Sequence, residues 1–397
     1  MPGPLEGIKV VEACQMVAGP MAAMLCADLG AEVVKVEQPK GGDRMRLLGH
    51  RVGGISALWA GVNRGKRCLV ADLQHPDGLG VVRDLVADAD VFIQNFRPGV
   101  AERLGIDDAT LRAANPGLVY VSVSGFGESG PYIDQKSYDY VVQMLSGMAA
   151  LQGGDGTPQL IRNIVIDKVT AMTAAQSILA ALVARGRGVG GQHVRLSMID
   201  TALAFLWPDG MMQHTLLADD GRVTPGPHMA DNYLVRPTRD SHLAMIATSN
   251  SQFPGLCAAL HKPEWLTDPR FATLADREAN AAALDELISA EVARHEGRAL
   301  VDALHSHDVP CALSNPLHEV HLDPQVQHNG ILVEHERPWL GPVREPKPPA
   351  RFSATPTALG RHAPKLDEHT DEILAELGRD ADTIAALRAS GAVGPRR

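Results

Sequence analysis

Aromatic residues, paired cysteines, excess positive charge and long apolar runs are scarce or absent in this sequence. Aromatic residues make up 4% of the 397 residues, whereas 45% are hydrophobic and 21% are charged, a balance typical of a globular protein. The formal net charge of −10 disfavours a nucleic-acid partner, because phosphate binding needs a basic surface. An anionic ligand would therefore have to meet a local cluster of basic residues. A chain of this length predicts two domains.

The cysteines and the apolar segments give no sign of export or of a membrane span. The five cysteines, which contain no C-x-x-C pair, are Cys14, Cys26, Cys68, Cys257 and Cys311. Dispersed cysteines predict buried thiols in a reducing cytosol, without a disulfide framework or a metal site. The first residues do not resemble a signal peptide. The most apolar stretch, near residues 171–184, is interpreted as a buried helix. We therefore expect a cytoplasmic protein that contacts neither metal nor membrane.

Short apolar segments alternate with helical patterns in the first half of the chain. The predicted strands are residues 8–12, 32–37, 66–72, 91–95, 118–124 and 192–197. Ala171, Ala174, Ile178 and Leu182 share one face of a helix that precedes the last of these strands. This alternation predicts an α/β fold with a Rossmann-like parallel sheet, covered by helices on both faces.

The remaining sequence predicts a second, smaller domain and a proline-rich end. Residues 1–207 form the predicted large domain, and residues 208–237, which lack periodicity, a linker. Residues 238–325 suggest a small α+β domain. Residues 326–397 are rich in proline, which predicts extended chain followed by a helix near 370–377. The final residues, 391–397, are expected to fray.

One literal G-x-G-x-x-G, formed by Gly125, Gly127 and Gly130, follows the fifth predicted strand. A dinucleotide fingerprint would occupy this position. Pro131 follows at once, however, and no helical pattern opens there, so a tight loop near some other ligand is the favoured interpretation. Paired Cys/His metal motifs and the G-x-S-x-G elbow of serine hydrolases are also missing from the sequence.

Asp167 combines an acidic side chain with apolar neighbours at the start of the predicted helix. One interpretation is an N-cap, since aspartate accepts hydrogen bonds from the first helical N–H groups. The other is a nucleophile, because an ionised carboxylate in an apolar pocket can attack a carbonyl. The residues alone leave both interpretations open.

Several ordered blocks give the chain a specific resemblance over nearly its whole length. They include LEGIKVVEACQMVAGPMAAMLCADLGAEVVKVEQPKGGD, NRGKRCLVADLQHPDG, ADVFIQNFRPGVAERLG, NPGLVYVSVSGFGESGPY and the helix that contains Asp167. Together they resemble the class III CoA transferases, the family of formyl-CoA and carnitine CoA transferases, related to α-methylacyl-CoA racemases. The resemblance implies an interlocked homodimer in which residues 326–397 return to the large domain. It also implies that Asp167 is the catalytic nucleophile and CoA a substrate.

The resemblance also implies which residues contact CoA. The matching positions are Val17, Ala18, Gln38, Ala71, Gln74, Asn95, Phe96, Arg97, Arg103, Lys136 and Tyr138. Arginine and lysine would contact the phosphates. Two positions depart from the formyl-CoA transferases, which carry glutamine in place of Val17 and a basic residue in place of Gln38.

The resemblance implies CoA transfer between an acyl-CoA donor and a carboxylic acid acceptor, and two other functions are alternatives to it. The racemase branch uses a histidine and an aspartate as acid and base, but this chain has Tyr138 where a histidine is expected. A non-catalytic CoA-binding protein would bury Asp167 away from any cavity.

Overall fold

The computed structural model describes residues 3–53, 55–218, 221–223, 226, 228–247 and 249–396. The strands, numbered along the chain, are β1 Lys9–Ala13, β2 Glu32–Glu37, β3 Arg51–Val52, β4 Ile55–Ser56, β5 Lys66–Val70, β6 Val91–Gln94, β7 Val119–Ser124, β8 His193–Ser197, β9 Val235–Pro237, β10 His242–Met245, β11 Cys311–Leu313, β12 Leu332–Arg337 and β13 Gly341–Pro346. The α-helices are α1 Ala18–Asp28, α2 Ala57–Asn63, α3 Pro76–Ala87, α4 Val100–Leu104, α5 Asp108–Ala114, α6 Asp139–Leu145, α7 Met148–Gly153, α8 Val165–Gly186, α9 Met198–Gly210, α10 Phe253–Ala259, α11 Leu274–Ala279, α12 Ala281–Val292, α13 Gly297–Ser306, α14 Pro324–Asn329, α15 Thr370–Glu376 and α16 Ala381–Ala389. Contacts divide the chain into two compact units, Met1–Pro208 with Gly330–Arg397, and Asp209–Asn329.

A six-stranded parallel sheet forms the centre of the first unit. Its strand order is β5-β2-β1-β6-β7-β8, and every neighbouring pair runs parallel. Each of these strands overlaps a strand predicted from the sequence. The prediction succeeds because strands covered on both faces are nearly continuous runs of apolar residues. The Rossmann-like α/β class is therefore confirmed.

Helices cover both faces of this sheet. On one face, Val10, Val33 and Ile93 pack against small residues of α1 and α8 such as Ala22 and Ala174. The opposite face buries a second cluster that draws on α3, α5 and α15. By length and composition alone, α8 could also cross a membrane. Its residues Ala171, Ala174 and Ile178 are fully buried.

The second unit has its own antiparallel sheet, ordered β11-β10-β9. Its core contains Leu243, Phe253, Leu256, Ile288 and Leu304, with helices α10, α12 and α13 contributing most of these side chains. β9 pairs with β10 although it lies within residues 208–237, the predicted linker. Residues 219–220, 224–225 and 227 of that predicted linker lie outside the described residues.

The expectation of extended chain is wrong over residues 332–346, and the expectation of a frayed end is also wrong. Strands β12 and β13 form an antiparallel hairpin in the region predicted to be extended chain. A two-stranded hairpin tolerates Pro342 and Pro346 because both of its strands are edges. The segment predicted to fray is also bonded to the sheet, since Val393 forms a β-bridge with Ala71 and the Gly394 N–H donates to the Val70 carbonyl at 3.0 Å.

Candidate active site

The carboxyl ends of β1, β6 and β7 open into a cavity of about 370 Å³ that contains Asp167. Open parallel sheets bind their ligands at this end of the strands. The walls come from the loop after β1, the loop after β6 and the loop that joins β7 to α6. Of the predicted site residues, those that line this cavity are Val17, Ala18, Asn95, Phe96, Arg97, Lys136, Tyr138 and Asp167.

Asp167 lies in the first turn of α8 and is not its N-cap. The N-cap residue is Ile164, whose side chain makes no capping hydrogen bond. The backbone N–H of Asp167 donates instead to Asp139 Oδ2 at 2.9 Å. The N-cap interpretation is therefore wrong, because Asp139 of α6 supplies the acceptor that a capping side chain would provide. The Asp167 carboxylate is left to line the cavity.

The environment of Asp167 favours its protonated form more than water does. Burial, together with the negative charge of Asp139, raises the pKa of Asp167 to about 7, and a hydrogen bond from the Ala18 backbone opposes both effects. The Asp139 carboxylate is held in turn by Gln143 Nε2 at 2.6 Å. A carboxyl group with a pKa near neutrality, beside a cavity, is typical of functional sites.

A strained loop between β1 and α1 carries Ala18 to Asp167. Met16 has a φ of 65°, which non-glycine residues seldom adopt. Its N–H donates to both carboxylate oxygens of Asp43 at 3.2 Å. Asp43 is buried and lies 3.3 Å from Lys35 Nζ, which also donates to the Cys14 carbonyl. The buried ion pair of Asp43 and Lys35 therefore holds the loop between β1 and α1 in place.

Asn95 and the loop after β7 complete the walls of the cavity. The Asn95 side chain accepts from the Gln15 N–H at 2.9 Å and donates to the Gln15 carbonyl at 2.7 Å, which joins the loops after β1 and β6. A side chain at Gly125 would overlap Ser137, so the two ends of this loop approach each other closely. No helix begins after Gly130 until α6 at Asp139, in agreement with the interpretation of G-x-G-x-x-G as a ligand-facing loop.

A second cavity, of about 510 Å³, lies at the ends of β2 and β5. Gln38, Ala71 and Gln74 line it, and Gln15 and Phe96 line both cavities. The two cavities therefore adjoin. Arg103, an exposed residue of α4, lines neither of them, so its predicted contact with CoA remains a prediction.

Sequence reasoning missed Gln15, Asp43, Asp139 and Arg396, all of which bear on these cavities. Asp139 and Asp167 are 28 residues apart, and no sequence pattern links them. Arg396 lines the second cavity from a tail that was expected to fray. Asp43 follows Gly41 and Gly42 after a predicted strand, where a turn residue is the ordinary interpretation.

Comparison with known proteins places these residues in a family. Residues 5–370 match the family described as CoA-transferase family III. The chain belongs to CoA-transferase family III. The succinate–glutarate CoA-transferase of Agrobacterium fabrum is 37% identical to it over 385 residues, covering 94% of this chain and 96% of that protein. The succinyl-CoA–D-citramalate CoA-transferase of Chloroflexus aurantiacus is 34% identical, covering 98% of each chain. A CAIB/BAIF family protein from Brucella suis has a similar structure, with a TM-score of 0.83 and 34% identity over 95% of this chain and 100% of that one.

The resemblance noted from the sequence blocks is thereby confirmed. The protein is a CoA transferase that carries CoA between an acyl-CoA and a carboxylic acid. CoA is consequently its substrate. In the described residues, no group of His, Cys, Asp and Glu side chains is arranged to hold a metal ion.

Proposed function

We propose that the transferase acts through covalent catalysis by Asp167 on short dicarboxylic acids and their CoA thioesters. The observation that carries this proposal is the position of Asp167, whose carboxylate lines the cavity beside the Ala18 N–H and has a pKa near neutrality. A carboxylate in these surroundings is ionised for part of the time at pH 7, and it is poorly solvated, which favours attack on a thioester carbonyl.

The reaction proceeds in two symmetric halves. Asp167 attacks the donor carbonyl, which breaks the C–S bond, releases CoA thiolate and leaves a mixed anhydride. The thiolate attacks the Asp167 acyl carbon, giving an aspartyl-CoA thioester and the free donor acid. The acceptor carboxylate then attacks this thioester and forms a second anhydride, again releasing thiolate. Attack of that thiolate on the acceptor carbonyl yields the new acyl-CoA and restores Asp167.

Groups around Asp167 support these steps. The Ala18 N–H lies beside the Asp167 carboxylate and lowers its pKa, so it is placed to donate to the oxyanion that develops when Asp167 carries an acyl group. Arg97 and Lys136 line the same cavity and supply positive charge for the phosphates of CoA. Phe96, at the junction of the two cavities, offers an apolar surface to the pantetheine arm.

The described lining of the Asp167 cavity favours transfer over racemisation. Proton abstraction beside a thioester and return on the opposite face need two groups with suitable pKa values. The side chain offered here beside Asp167 is Tyr138, and no histidine is among the described residues that line this cavity. A non-catalytic role is disfavoured because Asp167 faces the cavity.

The substrate class is inferred from two relatives. One is a succinate–glutarate CoA-transferase and the other a succinyl-CoA–D-citramalate CoA-transferase, and both align over more than nine tenths of this chain. Both names include dicarboxylates, so succinyl-CoA is the first donor to test. Glutarate and related acids are the first acceptors.

The assembly and the location of the enzyme are also part of the proposal. We expect an interlocked homodimer, and exposed apolar side chains such as Tyr140, Met144 and Leu145 on α6 are available to a second copy. Light scattering at micromolar concentration tests this expectation, and a monomer would contradict it. The free cysteines, most of them buried, favour the reducing cytoplasm.

The experiment that tests the function combines a substrate screen with trapping of the intermediate. The purified enzyme is incubated with succinyl-CoA and a panel of carboxylic acids, and new acyl-CoA is measured by mass spectrometry. Hydroxylamine should convert acylated Asp167 to a hydroxamate, located by peptide mapping. Asp167→Asn should lose both signals while remaining folded. Transfer at a near wild-type rate by the folded Asn variant would contradict the mechanism.

A further inference from the structure

The last residues of the chain are fixed against the second cavity by backbone hydrogen bonds. The Asp72 N–H donates to the Ala392 carbonyl at 2.9 Å, and the Arg396 N–H donates to the Pro39 carbonyl at 2.9 Å. These bonds continue the edge of the sheet beyond β5 and end at the loop after β2. The side chain of Arg396 is therefore delivered to one wall of the second cavity.

Two contacts orient the guanidinium of Arg396 but leave some of its N–H donors without a partner in them. Its Nη1 lies 2.9 Å from Asp72 Oδ2, and its Nη2 donates to the Gly391 carbonyl at 2.5 Å. The side chain keeps 48% of its surface exposed. Because a guanidinium has five N–H donors in a planar fork, donors remain for an anion in the cavity.

Among the described residues that line this cavity, the cations are Arg396 and Lys40. The lining acids are Glu37, Asp43 and Asp72. Glu37 accepts two hydrogen bonds from buried Arg46, and Asp43 is paired with buried Lys35. These two acids are therefore neutralised from inside the protein. An incoming phosphate would meet Lys40, Arg396 and the single carboxylate of Asp72.

The arrangement of the cavities fixes which end of CoA reaches Arg396. The thioester must approach Asp167, which lines the first cavity, so the pantetheine arm lies there. The cavities adjoin at Gln15 and Phe96, so the arm can pass between these residues and place the nucleotide in the second cavity. The diphosphate, next to the arm, lies toward Arg97. The phosphate on the ribose 3′ oxygen lies at the far end of the molecule.

We propose that Arg396 binds the ribose 3′-phosphate of CoA and thereby selects CoA over its dephosphorylated form. This inference rests on the proposed placement of CoA and adds to it a residue from the C-terminal tail. Gln38 and Gln74 line the same cavity but are uncharged, so Arg396 supplies a positive charge for the phosphate that they cannot supply. The volume of about 510 Å³ is within the range usual for small-molecule sites, about 300 to 1,000 Å³.

The test measures binding of CoA and of 3′-dephospho-CoA to the full-length enzyme by isothermal titration calorimetry. We expect the wild type to prefer CoA by about tenfold, the usual size of a charge-assisted contact at a partly exposed site. Arg396→Gln should reduce this preference to roughly one- to twofold by weakening CoA alone. Asp72→Asn, which frees the guanidinium, should tighten CoA and leave dephospho-CoA unchanged, and it should have no such effect when combined with Arg396→Gln.

Arg379→Gln is the matched control, because Arg379 pairs with Asp84 on the surface and lines neither cavity. It should keep the wild-type preference. An unchanged preference in Arg396→Gln, or no preference in the wild type, would overturn the inference while leaving the proposed function intact. If the wild type binds neither ligand, the proposed placement of CoA is itself wrong.

Discussion

The side chain of Asp139 accepts a hydrogen bond from the backbone N–H of Asp167 at 2.9 Å, which brings two acidic residues together at the start of α8. The contact gives the helix its missing N-terminal acceptor. It also places a negative charge beside the proposed nucleophile, which adds to burial in raising the pKa of Asp167 to about 7. One residue therefore links helix stability to the ionisation of the active site.

The rate of enzyme acylation should follow the ionisation of Asp167. Only the carboxylate form attacks the donor thioester, so the rate should rise with pH, with a midpoint near 7. Rapid-quench measurement of trapped acyl-enzyme from pH 5 to 9, at saturating acyl-CoA, gives this profile. A rate that stays constant down to pH 5 would show that Asp167 has an ordinary pKa in the working enzyme.

Asp139→Asn should move that midpoint to lower pH. The substitution removes the charge that raises the Asp167 pKa, and it keeps a side-chain oxygen for the Asp167 N–H. One of the two hydrogen bonds at residue 139 is lost because the new amide group cannot accept from Gln143, which should cost about 1 kcal/mol of unfolding free energy. Asp155→Asn, at an exposed site outside the cavity, is the control for charge and should leave the midpoint unchanged.

Asp167→Asn should stabilise the folded protein at pH 8 while abolishing transfer. Asp167 has a folded pKa of about 7, above its ordinary value of 3.8, so the unfolded chain loses its proton first and wild-type stability falls between pH 4 and 7. One pKa unit corresponds to about 1.4 kcal/mol, which sets an upper limit of about 4 kcal/mol for the gain. Urea unfolding at pH 4 and pH 8 measures it. A variant less stable than the wild type at pH 8 would contradict this account.

The sequence predicts the main sheet well because its evidence is local. Buried parallel strands such as Val91–Gln94 are continuous apolar segments, and the periodicity of Ala171, Ala174 and Ile178 identifies α8 without knowledge of its partners. Prediction of the site also required the family resemblance, because an acidic residue at the start of a helix has an ordinary structural explanation as a cap.

Contacts between distant segments could not be predicted in this way. Asp139 reaches Asp167, Asp43 reaches Met16, and Arg396 reaches Asp72 only after the sheet has brought their loops together. The pattern of prolines misled for a related reason. A proline shows where a strand cannot donate a backbone hydrogen bond, but it does not show that β12 and β13 form a two-stranded hairpin in which each strand has one unpaired edge.

Asp43→Asn should reveal whether the buried ion pair positions the loop beside Asp167. The variant loses the charge opposite Lys35 and one acceptor, which weakens the hold on the Met16 N–H at its strained φ. The contact with the Ala18 N–H lowers the Asp167 pKa. A looser loop weakens this contact, so the pKa should rise and the midpoint of acylation should move to higher pH. Stability should fall by about 2 to 4 kcal/mol, because Lys35 remains buried.

Asp28→Asn separates this effect from a general loss of stability. Asp28 is also buried and is paired with Arg64 at 2.6 Å, but it lies at the opposite end of α1 from Ala18. Its substitution should therefore cost a similar amount of unfolding free energy and leave the acylation midpoint near 7. If Asp43→Asn also lowers stability without moving the midpoint, Asp43 contributes only to stability and other contacts position the loop. The two hydrogen bonds between Asn95 and Gln15 would then be the next to test.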